Sequence, residues 1–506
     1  MDRARGAAQA GAAKGDGAGD RPPLRAEHRV AWPRASDRHT RSAAPHACDS
    51  VRHPHLDAGT GNPDAAGRNR PSGIDAGGGG KSSPGRGDVR GRPLMGSHSI
   101  AAIDVGTTKV CTIVAEVTPQ GELRILGVGV GPSAGLDKGA VNNIQAAIEA
   151  IASSVERAER ASGAKILSAH IGVAGPHVSS MNSRGIVAIT DPRRPIGDGD
   201  VHRALESARI VNVPNNREVI HVVPRYYVVD GQDHVIDPTG MFGSRLDVET
   251  HVVTSSAGAL NNLVQCVEGA GVRVESLILE PLASAEAVLT DEEMRQGVAL
   301  VDIGGGTTDI AVFVDGAVTH TAVLPIGGMH MTRDLVVALR VPQPSAEQAK
   351  KRFGHVIPSM VEEEEQVELE AFGSDGNKYA SRRFMAQVLQ ARSEELLELA
   401  QAEIKRGTDP EMLSAGVVLA GGASGLGGLD LLASDVLGLP ARIGRPRHLA
   451  GLSDILNDPA YATSVGLLKW ALKEQEIMFR SSPVPVPALG GVMKRLAHLM
   501  RLILPQ

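Results

Sequence analysis

Two segments that lie far apart in the sequence combine an aspartate, glycines and hydroxyl residues in the same order. The first contains Asp104, Gly106, Thr107, Thr108 and Lys109. The second contains Asp302, Gly304, Gly305, Gly306, Thr307 and Thr308. Glycine lets the backbone approach a phosphate without a Cβ in the way, and successive amides in such a turn form a concavity that holds an anion. Two such turns facing each other would hold a polyphosphate from both sides.

The aspartates that precede the turns need a positive partner. Asp104 and Asp302 would repel a bare triphosphate, so we expect a hydrated Mg²⁺ between them, because this ion keeps several of its waters in protein sites. Lys109 would offset the remaining negative charge. Either glycine-rich hairpin alone is equally well explained as an ordinary turn between strands. The repetition of the whole pattern favours a site for a magnesium-bound triphosphate.

A third glycine-rich segment follows later in the chain. It consists of Gly421, Gly422, Ala423 and Ser424, between a predicted strand at 416–420 and a predicted apolar helix at 429–437. Backbone without large side chains would let a flat ring lie against it. The same pattern is also typical of an ordinary turn from a strand to a helix, so this segment alone does not indicate a binding site for a ring.

The residues around these segments predict the elements that position them. β-Branched residues at 100–117 and 298–314 predict two hairpins with the glycine turns at their tips. Apolar residues at helical spacing predict a helix over 142–162, packed on the first sheet; they are Ile144, Ile148, Ile151 and Val155. Helices that alternate with strands indicate an α/β fold.

Composition excludes several classes of protein. The chain has 506 residues, 52 basic and 58 acidic, with 2% aromatic residues, which argues against a nucleic-acid partner. Its three cysteines, Cys48, Cys111 and Cys266, have no metal-type spacing and indicate a reducing compartment. No run of about 18 apolar residues occurs, so the sequence predicts no membrane-spanning helix.

Residues 1–97 differ from the rest of the chain. They carry a net charge of +6 against −12 for the remainder, and contain only seven Leu, Ile, Val or Phe. Such a segment buries too little apolar area to offset the entropy of ordering, so we predict a disordered extension. A further hypothesis is that the native protein begins at Met95 and that residues 1–94 are not part of it.

The C-terminal residues predict a membrane contact. Pro483, Pro485 and Pro487 indicate a stiff linker over 481–491. Residues 492–504 then place apolar and basic side chains on opposite faces of a predicted helix: Val492, Met493, Lys494, Arg495, Leu496, Leu499, Met500, Arg501 and Ile503. This pattern is typical of a helix that lies on an anionic membrane surface. The alternative is a terminal helix docked on the protein's own core.

Taken in order, the three glycine-rich segments resemble the nucleotide-binding signature of the actin, hexokinase and heat-shock chaperone ATPase superfamily. The segment 279–285 is similar to the first connecting helix of that superfamily, and 458–468 is similar to the second, with small residues where the two helices cross. The resemblance implies an α/β, actin-like (ribonuclease H-like) fold of two lobes. It also implies ATP and Mg²⁺ as cofactors, with the metal held through water by Asp104 and Asp302, and Glu280 and Asp302 as catalytic candidates.

Within this superfamily, the chain resembles the FtsA family of bacterial cell-division proteins. The resemblance rests on 104–117, 237–246, 251–254, the end of the chain, and Gly327, Gly328, Thr332, Asp334 and Leu335. It implies a first lobe at 98–175 and 258–280, an inserted subdomain at 176–257, a second lobe at 281–330 and 415–447, a small subdomain at 331–414, and a connecting-helix region at 448–480.

One helix of the small subdomain contains a possible nucleotide contact. Glu347, Lys350 and Lys351 share one helix side, and a similar acid and base pair holds ribose and adenine in heat-shock chaperones. The resemblance also places Gly328 beside the nucleotide. A salt-bridged helix facing solvent is an equally good explanation of the charged residues.

The resemblance implies an ATP-binding protein that polymerises on the cytoplasmic face of the bacterial inner membrane at the division septum. Its partners would be FtsZ, further copies of itself, later division proteins and the anionic membrane. The sequence leaves open whether ATP is hydrolysed; the resemblance implies that any hydrolysis would be at most slow. A pilus-assembly protein of the PilM type and a sugar kinase of the same fold are the alternatives.

Overall fold

The computed structural model describes residues 98–118, 122–210, 213–373, 377–451 and 454–480. The predicted disordered extension at 1–97, the linker at 481–491 and the amphipathic helix at 492–504 lie outside these residues, and so do all the predicted membrane-contact side chains. The elements described below therefore belong to the predicted lobes, the inserted subdomain and the small subdomain.

The first part of the described chain begins with the predicted hairpin. Its elements are β1 (His98–Val105), β2 (Lys109–Val117), β3 (Leu123–Pro132), β4 (Leu136–Asp137), β5 (Ala140–Val141), α1 (Ile144–Ser162) and β6 (Ser168–Val173). Helix α1 begins at Ile144 rather than at the predicted Asn142, because Asn143 is the N-cap and its Oδ1 accepts from the Ala146 N–H at 3.1 Å. Ile151 and Val155 of α1 are buried against the sheet.

An antiparallel sheet is inserted between β6 and the rest of the first lobe. Its elements are β7 (Val178–Ala188), α2 (Asp198–Arg209), β8 (Arg217–Val229), β9 (Gln232–Val235) and β10 (Arg245–Ser256). The strand order is β7-β10-β8-β9, and a small apolar core between this sheet and α2 includes Leu246 and Val248. Because it has its own sheet and core, this segment forms a subdomain.

The chain then returns to the first lobe and builds the second. These elements are α3 (Ala257–Gly269), β11 (Arg273–Leu279), α4 (Glu280–Val288), α5 (Asp291–Gln296), β12 (Val298–Ile303), β13 (Thr308–Val314) and β14 (Ala317–Leu324). The small subdomain follows with α6 (Gly328–Leu339), α7 (Gln343–Phe353), β15 (Gln366–Glu370), β16 (Asn377–Ser381) and α8 (Arg382–Gly407). The last elements are β17 (Val417–Ala420), α9 (Leu429–Leu437), β18 (Ala441–Ile443), β19 (Ala450–Gly451) and α10 (Ala462–Arg480).

The two large sheets share the same arrangement of five strands, and the first has β19 as an additional strand beside β3. The first has the order β11-β6-β1-β2-β3-β19 and the second has the order β14-β13-β12-β17-β18. In each sheet, the three strands that come first in the chain pair antiparallel with one another. The next two strands run parallel to the first of these three and lie on the side of it that faces away from the second. The two glycine turns, between β1 and β2 and between β12 and β13, therefore occupy equivalent places.

Helices α4 and α10 cross between the two sheets. They share an apolar core with residues of both sheets, including Ile113 of β2 and Leu300 of β12. A Cβ on Gly466 of α10 would lie 1.8 Å from the carbonyl oxygen of Ala283 in α4, so only glycine permits the crossing. The predicted close contact between the two connecting helices is confirmed. None of the helices described here is both long and apolar enough to cross a membrane.

Candidate functional site

The two glycine turns have the same hydrogen bond. The Gly106 N–H donates to the carbonyl oxygen of Lys109 at 3.1 Å, and the Gly304 N–H donates to that of Thr307 at 2.9 Å. In both hairpins an aspartate lies two residues before this glycine, on the end of the incoming strand. The repetition found in the sequence is therefore a repetition of backbone geometry.

The turns also face each other across the boundary between the lobes. A Cβ on Gly305 would lie 2.3 Å from the Cγ2 atom of Thr108, and a Cβ on Gly306 would lie 2.6 Å from the Oγ1 atom of Thr107. Both distances are far below a van der Waals contact, so the glycines are needed for the turns to approach this closely.

Four carboxylates lie around this junction: Asp104 of β1, Glu280 of α4, Asp302 of β12 and Asp309 of β13. Three of them accept bonds from hydroxyl groups. Ser464 of α10 donates to Asp104 Oδ2 at 2.7 Å, Ser284 of α4 donates to Asp302 Oδ2 at 2.5 Å, and Thr307 donates to Asp309 Oδ2 at 3.0 Å. The two crossing helices thus hold the two aspartates that precede the turns.

The cluster is short of positive charge. Burial raises the pKa of Asp302 to about 6, and the nearby Asp104 contributes in the same direction. Burial also raises the pKa of Asp104, and it raises the pKa values of Glu280 and Asp309 well above their usual range, with the other carboxylates adding to the effect. A cation placed here would therefore be attracted by several acids at once.

Asp309 has an additional unused atom. Its Oδ1 is buried and has no hydrogen-bond partner among the described residues. The side chains of this cluster do not converge as direct metal ligands, since no group of three His, Cys, Asp or Glu in the described chain has that arrangement. That Asp104 and Asp302 hold Mg²⁺ through its own water molecules stays a prediction from the sequence.

Glu280 lines a small cavity next to the first turn. The cavity has a volume of ≈ 20 Å³, and Gly106, Thr107, Gly172 and Thr307 contribute to its wall. This volume is sufficient for about one water molecule. A Cβ on Gly172 would lie 3.0 Å from Glu280 Oε1, so the strand beside the acid also needs a small residue. Part of the Glu280 side chain is exposed, and the residue lines a cavity that accommodates water, while burial of its carboxyl group raises the pKa.

Lys109 makes different contacts from those expected of a residue between the turns. Its Nζ lies 3.6 Å from the ring centroid of Tyr461 and donates to the carbonyl oxygen of Ala460. It connects the first lobe to the segment that precedes α10. Its positive charge nevertheless lowers the pKa values of Asp104 and Asp302 against the larger effect of burial.

The small subdomain meets the second turn at Gly328. The N–H of Gly328 donates to the carbonyl oxygen of Gly304 at 2.9 Å. Lys350 is buried, and its Nζ donates to the Gly328 carbonyl oxygen at 2.8 Å and contacts Glu347 at 2.8 Å. Lys351, by contrast, is exposed. Lys350 therefore reaches the second turn, whereas Glu347 is partly exposed and also bonds the exposed Lys351 at 3.2 Å. That Glu347 and Lys350 contact a nucleotide stays a prediction.

The third glycine-rich segment reaches the same place from the other side. Gly421 has a φ of +82°, and a Cβ there would lie 2.3 Å from Asp302 Oδ1. Ser424 Oγ donates to the carbonyl oxygen of Gly421 at 2.7 Å, and Gly422 lies beside Ala460. A Cβ on Gly328 would lie 3.2 Å from the Cβ of Ala423. All three predicted glycine segments are thus brought together.

Several residues of this site were missed by the sequence prediction. Asp309, Ser284, Thr463 and Ser464 all contact or belong to the carboxylate cluster. In the folded hairpin, Asp309 pairs with Asp302 in the same register in which Cys111 pairs with Asp104, and this pairing cannot be read from the sequence alone. The hydroxyl residues gave no sequence signal either, since a serine in a helix has many possible roles.

Comparisons with known proteins identify the family. The family model for "Cell division protein FtsA" matches residues 299–466, and that for the "SHS2 domain inserted in FTSA" matches residues 175–254. A solved structure titled "PilM-PilN type IV pilus biogenesis complex" is 17% identical with a TM-score of 0.52, and covers 74% of this chain and 98% of its own. That likeness shows the fold.

Two curated relatives are much more similar in sequence. The "Cell division protein FtsA" of Pseudomonas aeruginosa is 42% identical over 382 residues, which are 76% of this chain and 91% of the relative. That of Escherichia coli strain K12 is 36% identical over 414 residues, which are 79% of this chain and 97% of the relative. With an actin-like two-lobe fold, the inserted subdomain and this identity over most of the described residues, the chain belongs to the FtsA family of cell division proteins.

Proposed function

We propose that this protein binds ATP with Mg²⁺ between its two lobes, polymerises on the cytoplasmic face of the inner membrane at the septum, anchors the FtsZ ring there and helps to recruit later division proteins. The observation that supports nucleotide binding best is the pair of matched turns that meet over a buried carboxylate cluster. Family membership supports the role in division.

The residues present fit a magnesium nucleotide. The turns at 106–109 and 304–308 would hold phosphates through backbone amides and threonine hydroxyls. The buried Asp309 Oδ1, which has no partner in the described part of the chain, and the raised pKa values of Asp309 and Glu280 support a place for positive charge. Mg²⁺ would supply that charge when bound. Gly328, Lys350 and the segment 421–424 would hold the nucleoside.

Glu280 and Asp302 are the candidates to orient a water molecule. Glu280 lines the cavity that has room for about one water, and Asp302 is fixed by Ser284 and Thr463. A buried carboxyl with a raised pKa accepts a proton from water more readily than an ordinary one. We propose that hydrolysis is at most slow, and that closure of the two lobes around ATP is the main role of the site.

The FtsA assignment is favoured over the two alternatives by sequence identity. FtsA relatives are 36–42% identical over most of the chain, whereas the solved PilM–PilN complex is 17% identical and shares the fold alone. A sugar kinase would also need a general base in a sugar cleft beside the phosphates, whereas Asp104, Asp302 and Asp309 are buried at the junction of the two turns. Neither alternative is favoured by an observation of its own.

The decisive experiment is ATP binding by the purified protein, with Mg²⁺ and with EDTA, for the wild type and Asp302→Asn. We expect Mg²⁺ to tighten binding in the wild type and the variant to lose about ten-fold in affinity with Mg²⁺ only, as is typical when a group near a metal is removed. Asp247→Asn, at a buried acid of the inserted sheet, is the matched control. Equal binding with and without Mg²⁺ in the wild type would contradict the proposal.

A further inference from the structure

His221 of the inserted subdomain touches the strand that leads into Glu280. It lies on β8 and is buried, and its Nε2 accepts a hydrogen bond from the Leu279 N–H at 3.0 Å. Strand β11, which Leu279 ends, is at the edge of the first sheet and has β6 on one side only, and the acceptor of the Leu279 N–H is His221. The inserted subdomain therefore supplies the hydrogen-bond partner at the end of β11.

The position of Leu279 controls that of Glu280. Leu279 is the N-cap of α4 and Glu280 is its first residue, so the chain changes direction between them. The Glu280 carboxyl lies among Asp104, Asp302 and Asp309, whose charges all raise its pKa beyond the effect of burial. A shift of the Leu279 backbone would therefore move Glu280 relative to the other three acids.

The imidazole of His221 is itself held in place. Its ring packs edge-to-face on Trp470 of α10, with the centroids 5.4 Å apart. Helix α10 also carries Thr463 and Ser464, which bond Asp302 and Asp104. Since the Leu279 N–H is a donor, Nε2 must be the unprotonated nitrogen, and burial lowers the His221 pKa to about 4, which keeps it so at neutral pH.

The inserted sheet is also bonded to the second lobe, through His251, which lies on the same face of the sheet as His221. His251 of β10 contacts Thr321 Oγ1 of β14 at 2.9 Å and Asn182 at 2.8 Å, and Ser180 Oγ donates to the Thr321 carbonyl oxygen at 2.8 Å. The subdomain is thus bonded to the second lobe as well as to Leu279. A displacement of this sheet relative to either lobe would therefore be transmitted, through the His221 hydrogen bond, to the backbone beside Glu280.

We propose that His221 is a positioning residue of the magnesium nucleotide site, which fixes Glu280 by accepting the Leu279 N–H and so connects the inserted subdomain to that site. This inference rests on the proposed binding of ATP with Mg²⁺. It assigns to the inserted subdomain a role as a support for the acid cluster at the junction of the two lobes.

The test compares His221→Phe, which keeps an aromatic ring beside Trp470 but removes the acceptor, with His221→Gln, which retains one. The Mg²⁺ concentration that half-saturates ATP binding is measured in the full-length protein, together with ATP affinity in EDTA. We expect His221→Phe to raise the Mg²⁺ requirement by about ten-fold with unchanged affinity in EDTA, and His221→Gln to recover most of the loss. Thr250→Val, which removes a buried hydrogen bond of the same sheet, should not change the Mg²⁺ requirement.

A lower melting temperature of His221→Phe with an unchanged Mg²⁺ requirement would overturn the inference and leave a structural role only. Hydrogen exchange of the Leu279 amide in the wild type covers the case in which the variant does not fold. By reciprocity, ATP with Mg²⁺ should protect this amide more than ATP with EDTA, and equal protection would also overturn the inference. Failure of the wild type to bind ATP with Mg²⁺ would instead refute the proposed function itself.

Discussion

At the scale of single residues, the acid cluster shows what the sequence predicts and what it does not. Asp104, Glu280 and Asp302 could be selected because they stand beside glycine turns or at a family position. Their raised pKa values depend on burial under α4 and α10, which come from other parts of the chain. Asp309 was missed because its role follows from its pairing with Asp302, which is a property of the folded hairpin.

The Asp302 pKa leads to a prediction about stability and pH. Its folded value of about 6 is above the ordinary value of 3.8, so between these values the folded state binds more protons than the unfolded state. The contribution of Asp302 to the free energy of unfolding is therefore greatest at low pH and falls as the pH rises through this window. Asparagine does not titrate and so does not lose this contribution. The free energy of unfolding of Asp302→Asn, relative to that of the wild type, should therefore rise by about 2 kcal/mol between pH 4 and pH 7.

Denaturant unfolding of both proteins without nucleotide, at several pH values, measures this difference. Asp247→Asn is again the control, because the pKa of Asp247 is lowered: burial alone would raise it, but the bonds from Arg245 and Arg184 outweigh burial. Its stability relative to the wild type should fall with rising pH in the acid range. A pH-independent difference for Asp302→Asn would show that its carboxyl does not titrate in this window.

At the scale of elements, the sequence predicted the helices and strands that are encoded by a local pattern of residues. Both hairpins, the helix after the third glycine segment and the two connecting helices are present. The contacts that fix their arrangement join residues distant in the chain, such as Ser464 with Asp104 and His221 with Leu279. No local pattern indicates such pairs, because each depends on how the inserted sheet and α10 pack on the two lobes.

Gly466 provides a prediction at this scale. Alanine is the better helix former by about 1 kcal/mol, so propensity alone favours Gly466→Ala. A Cβ there would lie 1.8 Å from the Ala283 carbonyl oxygen, and the clash is with backbone, which cannot rotate away. We expect Gly466→Ala to lower the free energy of unfolding by roughly 1–3 kcal/mol, and to weaken nucleotide binding because α4 and α10 hold the two aspartates.

Gly258→Ala is the matched control for this substitution. Gly258 also lies in a helix, but a Cβ there would have only the Ser256 hydroxyl within 4 Å, at 3.9 Å. This variant should be neutral or slightly stabilised by its helix propensity. Denaturant unfolding compares the two, and a Gly466→Ala protein as stable as the wild type would mean that the helices do not cross as closely as described.

At the scale of the whole molecule, the sequence predicted the duplicated actin-like fold with an inserted subdomain, and this is confirmed. The order of the motifs was sufficient because each lobe repeats the same strand order around its own glycine turn. The predicted membrane contact at 492–504 lies outside the described residues and remains a prediction from the sequence.

The affinity of the helix at 492–504 for a membrane determines whether one copy is sufficient for attachment or a polymer is needed. Lys494, Arg495 and Arg501 contribute about 1 kcal/mol each near an anionic surface, and ordering a short helix offsets part of the gain from apolar burial. One copy should therefore bind weakly, while copies aligned in a polymer bind much more tightly through effective concentration. We expect sedimentation with phosphatidylglycerol vesicles to rise steeply with protein concentration, together with self-association measured by light scattering.

Leu496→Glu tests the apolar stripe directly, because it puts a charge where the side chain must enter the lipid. We expect it to abolish sedimentation with these vesicles. His498→Glu introduces the same acid on the polar face, so it should weaken sedimentation through charge repulsion without abolishing it. If both substitutions reduced sedimentation equally, the attraction would be purely electrostatic and the stripe would have no role; if Leu496→Glu had no effect, the membrane contact would have to lie elsewhere in the chain.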